Sequence, residues 1–400
     1  MGNQLYEHSG KNLKEQPFSE LPLPELTFSV ESLENEKNSG KDEKSAKISE
    51  LSINGYQKLK SNELDEAKKL FEEILEADEN NNYALVGLGD TERKMENFPE
   101  AIRLYNKCLE FHPGNSYALF GLADCYKSLG QFRKAIEIWE KYLVHDEKNI
   151  TVITRIADAC RKIHLYKKSA ELYQKILKIE ETNAYALVGL GHLSYDLKKY
   201  HEALFYWKKM LELNKEHVDI RILTSIGNCH RKLKTFSEGI FYFQKALEMD
   251  PKNFYALFGL ADCYRGMNQQ DKSIIYWNKL LEIDPENKVI LTRIGDAFRN
   301  MGDYKSAEEY YNRALDIDFD IYAAMGLALI CKGEKKYDEA IERFRNLIRN
   351  DTKNYRLYVD LADCYVRQNK KEEAIKTLEA FQAQEIHSSA VNEMLENLKK

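Results

Sequence analysis

The chain has 400 residues, with 59 Lys+Arg against 65 Asp+Glu, a formal charge of −6, and 43% hydrophobic against 31% charged residues, which excludes a disordered or membrane-embedded composition. Glycine (19) and proline (7) are too scarce for a loop-rich or all-β fold, and no run of ~18 apolar residues spans a bilayer. The mild acidity argues against a general polyanion binder, because such affinity rests on Lys and Arg neutralising phosphates.

Residues 1–47 hold three of the seven prolines and nine acidic against six basic residues, with no helical stripe; this composition predicts a disordered tail. Inside it, "PFSELPLPELTF" (17–28) is an apolar, proline-stiffened island that suits a docking peptide, in cis or in trans. No basic start followed by an apolar stretch marks a secretory signal. The start "MGNQLY" has Tyr6 where an acylation signal wants Ser or Thr.

From residue 48 the chain repeats itself. A small residue followed four positions later by a large one recurs: Ala67/Phe71, Ala101/Tyr105, Ala135/Trp139, Ser169/Tyr173, Ala203/Trp207, Gly239/Phe243, Ser273/Trp277, Ala307/Tyr311, Ala340/Phe344 and Ala374/Leu378, in steps of 33 to 36 residues. Twelve residues before each lies another small residue, from Gly55 and Gly89 to Ala328 and Ala362. In the third unit Leu119, Leu122 and Tyr126 form one helical stripe, and Ala135, Ile138, Trp139 and Tyr142 a second. The short Leu129-Gly130-Gln131 between them makes the two helices antiparallel neighbours. One such pair cannot bury its apolar stripes alone, so the pairs must stack. Ten units follow: 48–81, 82–115, 116–149, 150–183, 184–219, 220–253, 254–287, 288–320, 321–354 and 355–388. The fifth is two residues longer than the 34-residue period and the eighth one shorter, which predicts a local change of pitch at each. At the end Ser388 can cap a helix over 389–400, with Val391, Met394, Leu395 and Leu398 on one face, as a lid on the stack.

The pattern W-x2-L-G-x2-Y, A-x3-F, P describes tetratricopeptide repeats. "YALFGLADCY" (117–126 and 255–264), followed by A-I-x-x-W or S-I-x-x-W, resembles it closely, with Leu for the first Trp and the final Pro kept only at Pro113, Pro251 and Pro285. The resemblance covers residues 48–388. It implies an all-α, right-handed superhelical solenoid of about ten helix-turn-helix units, closed by the C-terminal capping helix, and a non-catalytic scaffold gripping an extended peptide or partner helix in its concave groove.

The same resemblance implies that positions 2, 5, 9, 12 and 13 of each unit face the groove. Position 2 then supplies Tyr83, Tyr117, Tyr185, Tyr255 and Tyr322, and position 5 Phe120 and Phe258. Position 9 supplies Asp90, Asp124, Asp158, Asp262, Asp296 and Asp363. Position 12 supplies Arg93, Lys127, Arg161, Arg231, Arg265, Arg299 and Lys332. Tyrosines give contact area at low entropy cost, and the charges suit a peptide backbone or charged side chains. The bland alternative is that the Asp/Arg pairs, spaced i, i+3, merely solubilise a helix face at about 0.2–0.5 kcal/mol each. Position 6 alternates between Gly (Gly87, Gly121, Gly189, Gly259, Gly326) and Arg155, Ser225 or Arg293. A glycine inside a helix costs about 1 kcal/mol against alanine, so the alternation points either to roomy and basic pockets along the groove or to duplication of a two-unit block.

No chemistry accompanies this wall. The nine histidines lack metal-ligand spacing, and no phosphate loop or nucleophile elbow occurs. The seven cysteines, mostly at positions 10 and 11, suit a reduced core and with it the cytoplasm. No catalytic residue, cofactor or metal is therefore expected. Position 5 lacks the Lys of the family's clamp for chaperone C-terminal carboxylates, and position 9 is mostly Asp where the clamp has Asn. The alternatives are a helical-repeat RNA binder, which the aspartates disfavour, and a regulatory or targeting subunit of a separate enzyme. The cap favours a monomer.

Overall fold

Asparagine or aspartate ahead of an apolar stripe starts most first helices, because its side chain satisfies an amide that the helix leaves open. In the computed structural model, which describes residues 43–213 and 218–400, Asn81, Asn115, Asn149, Asn183, Asn253 and Asn287 each accept from the backbone N–H three residues on. The chain folds as two compact units that divide between Val218 and Asp219.

The first unit holds α1 (Glu43–Lys60), α2 (Leu64–Ala77), α3 (Asn82–Lys94), α4 (Phe98–Phe111) and α5 (Ser116–Ser128). It continues with α6 (Phe132–Leu143), α7 (Ile150–Lys162), α8 (Tyr166–Ile179), α9 (Ala184–Asp196) and α10 (Tyr200–Leu213). The second unit holds α11 (Ile220–Lys232), α12 (Phe236–Met249), α13 (Phe254–Gly266), α14 (Gln270–Ile283), α15 (Lys288–Met301) and α16 (Tyr304–Ile317). Then come α17 (Ile321–Gly333), α18 (Tyr337–Asn350), α19 (Tyr355–Arg367), α20 (Lys371–Gln382) and α21 (Ser389–Lys399). Among the described residues there is no strand, and the all-α repeat fold is as the periodicity requires.

Helix α1 begins at Glu43, ahead of residue 48 where the first repeat was expected. The rest of the expected tail, including 17–28, lies outside the described residues. So do 214–217, within the overlong fifth repeat. The last helix is capped as expected, with Ser388 accepting from the Val391 N–H.

Within each unit every helix packs on the next in sequence, and first helices also touch the first helix of the following repeat: α1 on α3, α3 on α5, α7 on α9, α11 on α13, α15 on α17. The first helices thus form one layer and the second helices another. The turn inside each repeat passes through a left-handed residue, which is Gly at 130 and 302 but Asn, Glu, His or Lys elsewhere. The core is the recurrent aromatic of the second helix. Phe71, Tyr105, Trp139, Tyr173, Trp207, Phe243, Trp277, Tyr311 and Phe344 are all fully buried, each contributing about 2–3 kcal/mol of transfer free energy. Where serine replaces alanine four residues before that aromatic, it bonds across the crossing: Ser169 and Ser273 donate to the carbonyls of Ala157 and Ala261 at 2.8 and 2.7 Å.

Candidate functional site

The charged rows of the first helices follow the core aromatic of their own repeat. Where that aromatic is tyrosine, position 9 is aspartate and accepts its hydroxyl: Tyr105 to Asp90 at 2.6 Å, Tyr311 to Asp296 at 2.7 Å, and Tyr173 to Asp158. A buried phenol must donate somewhere, and this carboxylate supplies the acceptor. Burial pushes the Tyr105 and Tyr311 phenols up, and the neighbouring carboxylates push them further.

Where the aromatic is tryptophan and the next repeat has arginine at position 6, that arginine reaches back to the same carboxylate. Arg155 meets Asp124 at 2.9 Å and Arg293 meets Asp262 at 2.8 Å. Each guanidinium also lies over the position-5 ring of the earlier repeat, Phe120 at 4.7 Å and Phe258 at 4.8 Å. Where the aromatic is phenylalanine (Phe71, Phe243, Phe344), no hydroxyl needs an acceptor, and position 9 is Tyr56, Asn228 or Leu329.

Two expectations are corrected by this geometry. The position-6 glycines are not roomy pockets, since a Cβ there would fall 2.2–2.4 Å from the core ring of the preceding repeat: Phe71 against Gly87, Tyr105 against Gly121, Tyr173 against Gly189, Phe243 against Gly259, Tyr311 against Gly326. Nor are Arg155 and Arg293 open basic pockets. They are 7% and 8% exposed and hold one repeat to the next, and Phe120, 3% exposed, is buried with them.

The position-12 cations are also engaged by carboxylates. Arg93 lies 3.5 Å from Asp90 and Arg299 3.1 Å from Asp296, each within its own helix. Arg161 reaches Asp196 in the next repeat at 2.7 Å. Asp262 gathers Arg293, Arg231 (2.9 Å) and Arg265 (3.2 Å). Burial alone would raise the carboxyl's pKa; the three guanidiniums overcome it and hold Asp262 at about 2. Lys332 sits between Asp360 (2.9 Å) and Asp363 (2.8 Å) of the tenth repeat. Lys127, partly buried, is part of no ion pair among the described residues.

The position-2 tyrosines behave differently. Tyr83, Tyr117, Tyr185, Tyr255 and Tyr322 are all half-buried at the start of a first helix. Tyr83 and Tyr117 pack against a core cluster of the first unit while staying partly accessible. The aspartate and arginine rows are largely consumed within the fold.

A feature that the sequence reading missed lies in the second unit. Arg299, Lys332, Lys335, Arg367, Tyr304 and Tyr337 surround a cavity of about 370 Å³ at the C-terminal ends of α15, α17 and α19, its wall completed by Leu329 and Gly333. The signal available was the break in the aspartate column at Leu329.

Among the described residues no three His, Cys, Asp or Glu gather as metal ligands. All seven cysteines are buried, and burial pushes the thiols of Cys125, Cys229 and Cys263 up to about 12. No helix of the described residues is long and apolar enough to cross a membrane.

Models described as tetratricopeptide repeat match residues 55–116, 92–152, 220–253, 242–275, 289–320 and 333–398, together more than half of the chain. No curated protein matches it significantly. Among solved structures, a tetratricopeptide repeat protein from Parabacteroides merdae is 15% identical with a TM-score of 0.51, covering 63% of this chain and 99% of its own. Yeast Tom70 is 15% identical with a TM-score of 0.44, over 89% of this chain and 96% of its own. YrrB, a TPR protein described as having an unusual peptide-binding site, is 19% identical with a TM-score of 0.40, over 46% and 95%. The first of these likenesses shows the fold.

Proposed function

The chain belongs to the tetratricopeptide repeat family, and from that premise we propose that this protein-interaction scaffold binds an extended peptide or partner helix along the row of tyrosines on its first helices. The observation that carries the reading is the row itself: five tyrosines at one position of five repeats, all partly buried, with Tyr83 and Tyr117 packed against the core. Aromatic faces held in this way supply contact area without loss of side-chain freedom on binding. The charges beside them contribute mainly to the joints between repeats, so they lend less to a ligand than their number suggests. RNA binding gains nothing from the position-12 arginines, because Asp90, Asp196, Asp262 and Asp296 already face them.

A photo-crosslinking phenylalanine analogue at Tyr117 or Tyr255 tests the reading. Crosslinks to a peptide library from these sites, and none from the same analogue at exposed Glu309 on the second-helix layer, are expected. Equal yields from all three sites would remove the tyrosine row from the account.

A further inference from the structure

Position 9 of the ninth repeat is Leu329, and its core aromatic, Phe344, has no hydroxyl to satisfy. One consequence falls on the cavity beside it. Carboxylates at positions 9 and 6 hold Arg299 and Lys332 from behind, but none lines the cavity itself. Two further cations face it with charge to spare. Lys335, in the turn between α17 and α18, takes part in no ion pair among the described residues, and Arg367 lies 3.6 Å from Asp363 with its side chain 61% exposed. Gly333 opens the wall: a Cβ there would fall 2.5 Å from the Tyr304 hydroxyl. With glycine the hydroxyl keeps its place on the cavity, and no hydrogen bond among the described residues engages it. Guanidiniums from two different repeats, two ammonium groups and two phenols thus surround a space larger than one carboxylate.

We propose that this cavity binds a doubly charged oxyanion carried by a peptide, either a phosphorylated side chain or a pair of adjacent carboxylates. The proposal rests on the peptide-binding reading and narrows it to partners with an acidic anchor. Arginine forks from two sides meet several oxygens at once, and each contact is charge-assisted. The partial negative charge of three helix C-termini opposes an anion, so the side-chain cations must supply the attraction.

The test is a peptide array on which each sequence appears with a central serine, phosphoserine or Glu-Glu pair, probed with the full chain. Wild type is expected to retain the phosphoserine or Glu-Glu forms about tenfold more than the serine form, and millimolar inorganic phosphate to compete. The double variant Lys335→Glu, Arg367→Glu alters exposed side chains and should fold normally by circular dichroism while losing the gain. Leu329→Asp, which restores the residue of six other repeats, should also lose it. Retention that ignores the charge, or a gain that survives the double variant, overturns the proposal and leaves the tyrosine-row reading standing. Protection of residues 329–337 from hydrogen exchange by inorganic phosphate, with no peptide retained in any form, overturns the peptide reading and with it the peptide-borne anchor. The two charged forms, compared with each other, tell a phosphoryl source from a carboxylate one.

Discussion

Two neighbouring joints of the second unit solve one packing problem differently. Between the seventh and eighth repeats the core ring is Trp277, and the next first helix presents Arg293, whose charge is buried against Asp262 and over Phe258. Between the eighth and ninth the ring is Tyr311, the next first helix presents Gly326 at the same position, and the carboxylate, Asp296, turns to the phenol. Both repeats carry aspartate at the same position, yet its partner changes with the ring. An aspartate repeated on one helix face is thus a poor marker of a binding wall when a buried hydroxyl or guanidinium needs an acceptor.

The comparison can be broken most severely at Asp262. Asp262→Asn leaves three guanidiniums without their common carboxylate, and the loss in urea unfolding of the second unit is expected to be about 3–5 kcal/mol. Asp296→Asn, which disturbs a half-buried pair with Tyr311, is expected to cost about 1–2 kcal/mol. Equal losses would mean that the two joints do not differ in kind. Gly326→Ala comes next, since Tyr311 must yield to a Cβ 2.3 Å from its ring; overpacking of this sort costs about 1–3 kcal/mol, and Tyr311→Leu should recover part of it.

Acid sharpens the contrast. Asp262 is held at about 2 when folded, below its ordinary 3.8, so its contribution is complete above pH ~4 and disappears as pH falls through ~2. The stability gap between wild type and Asp262→Asn should narrow by about 2 kcal/mol over that window. A gap constant from pH 7 to pH 2 would contradict the assignment. The smallest expected effect on stability is that of Tyr117→Ser with Tyr255→Ser, about 1 kcal/mol each by thermal melting, because these rings are only partly buried.

Most of the fold was legible in the sequence because packing writes it in columns. The small residues of the two helices must meet, the buried aromatic must lie between first helices of successive repeats, and both requirements recur at a fixed spacing. The site was legible only in part. Read singly, the columns of position 6, position 9 and the core aromatic suggest pockets and ladders. Read together, Tyr with Asp and Gly, Trp139 and Trp277 with Asp and Arg, and Phe without an acid, they describe joints. The asparagine before most first helices was equally visible and marks the caps. The cavity under Leu329 was not, because it needs side chains from three repeats and the space left by Gly333. The two-residue excess of 184–219 does coincide with the division of the chain between Val218 and Asp219.

The most direct measurement compares peptide retention by the wild-type chain, by Tyr117→Ser with Tyr255→Ser, and by Arg155→Ala with Arg293→Ala, each at a temperature where it is fully folded. The account predicts that the tyrosine variant loses retention while the arginine variant, though less stable, selects the same peptides. Loss of selection in the arginine variant with full retention by the tyrosine variant would contradict it.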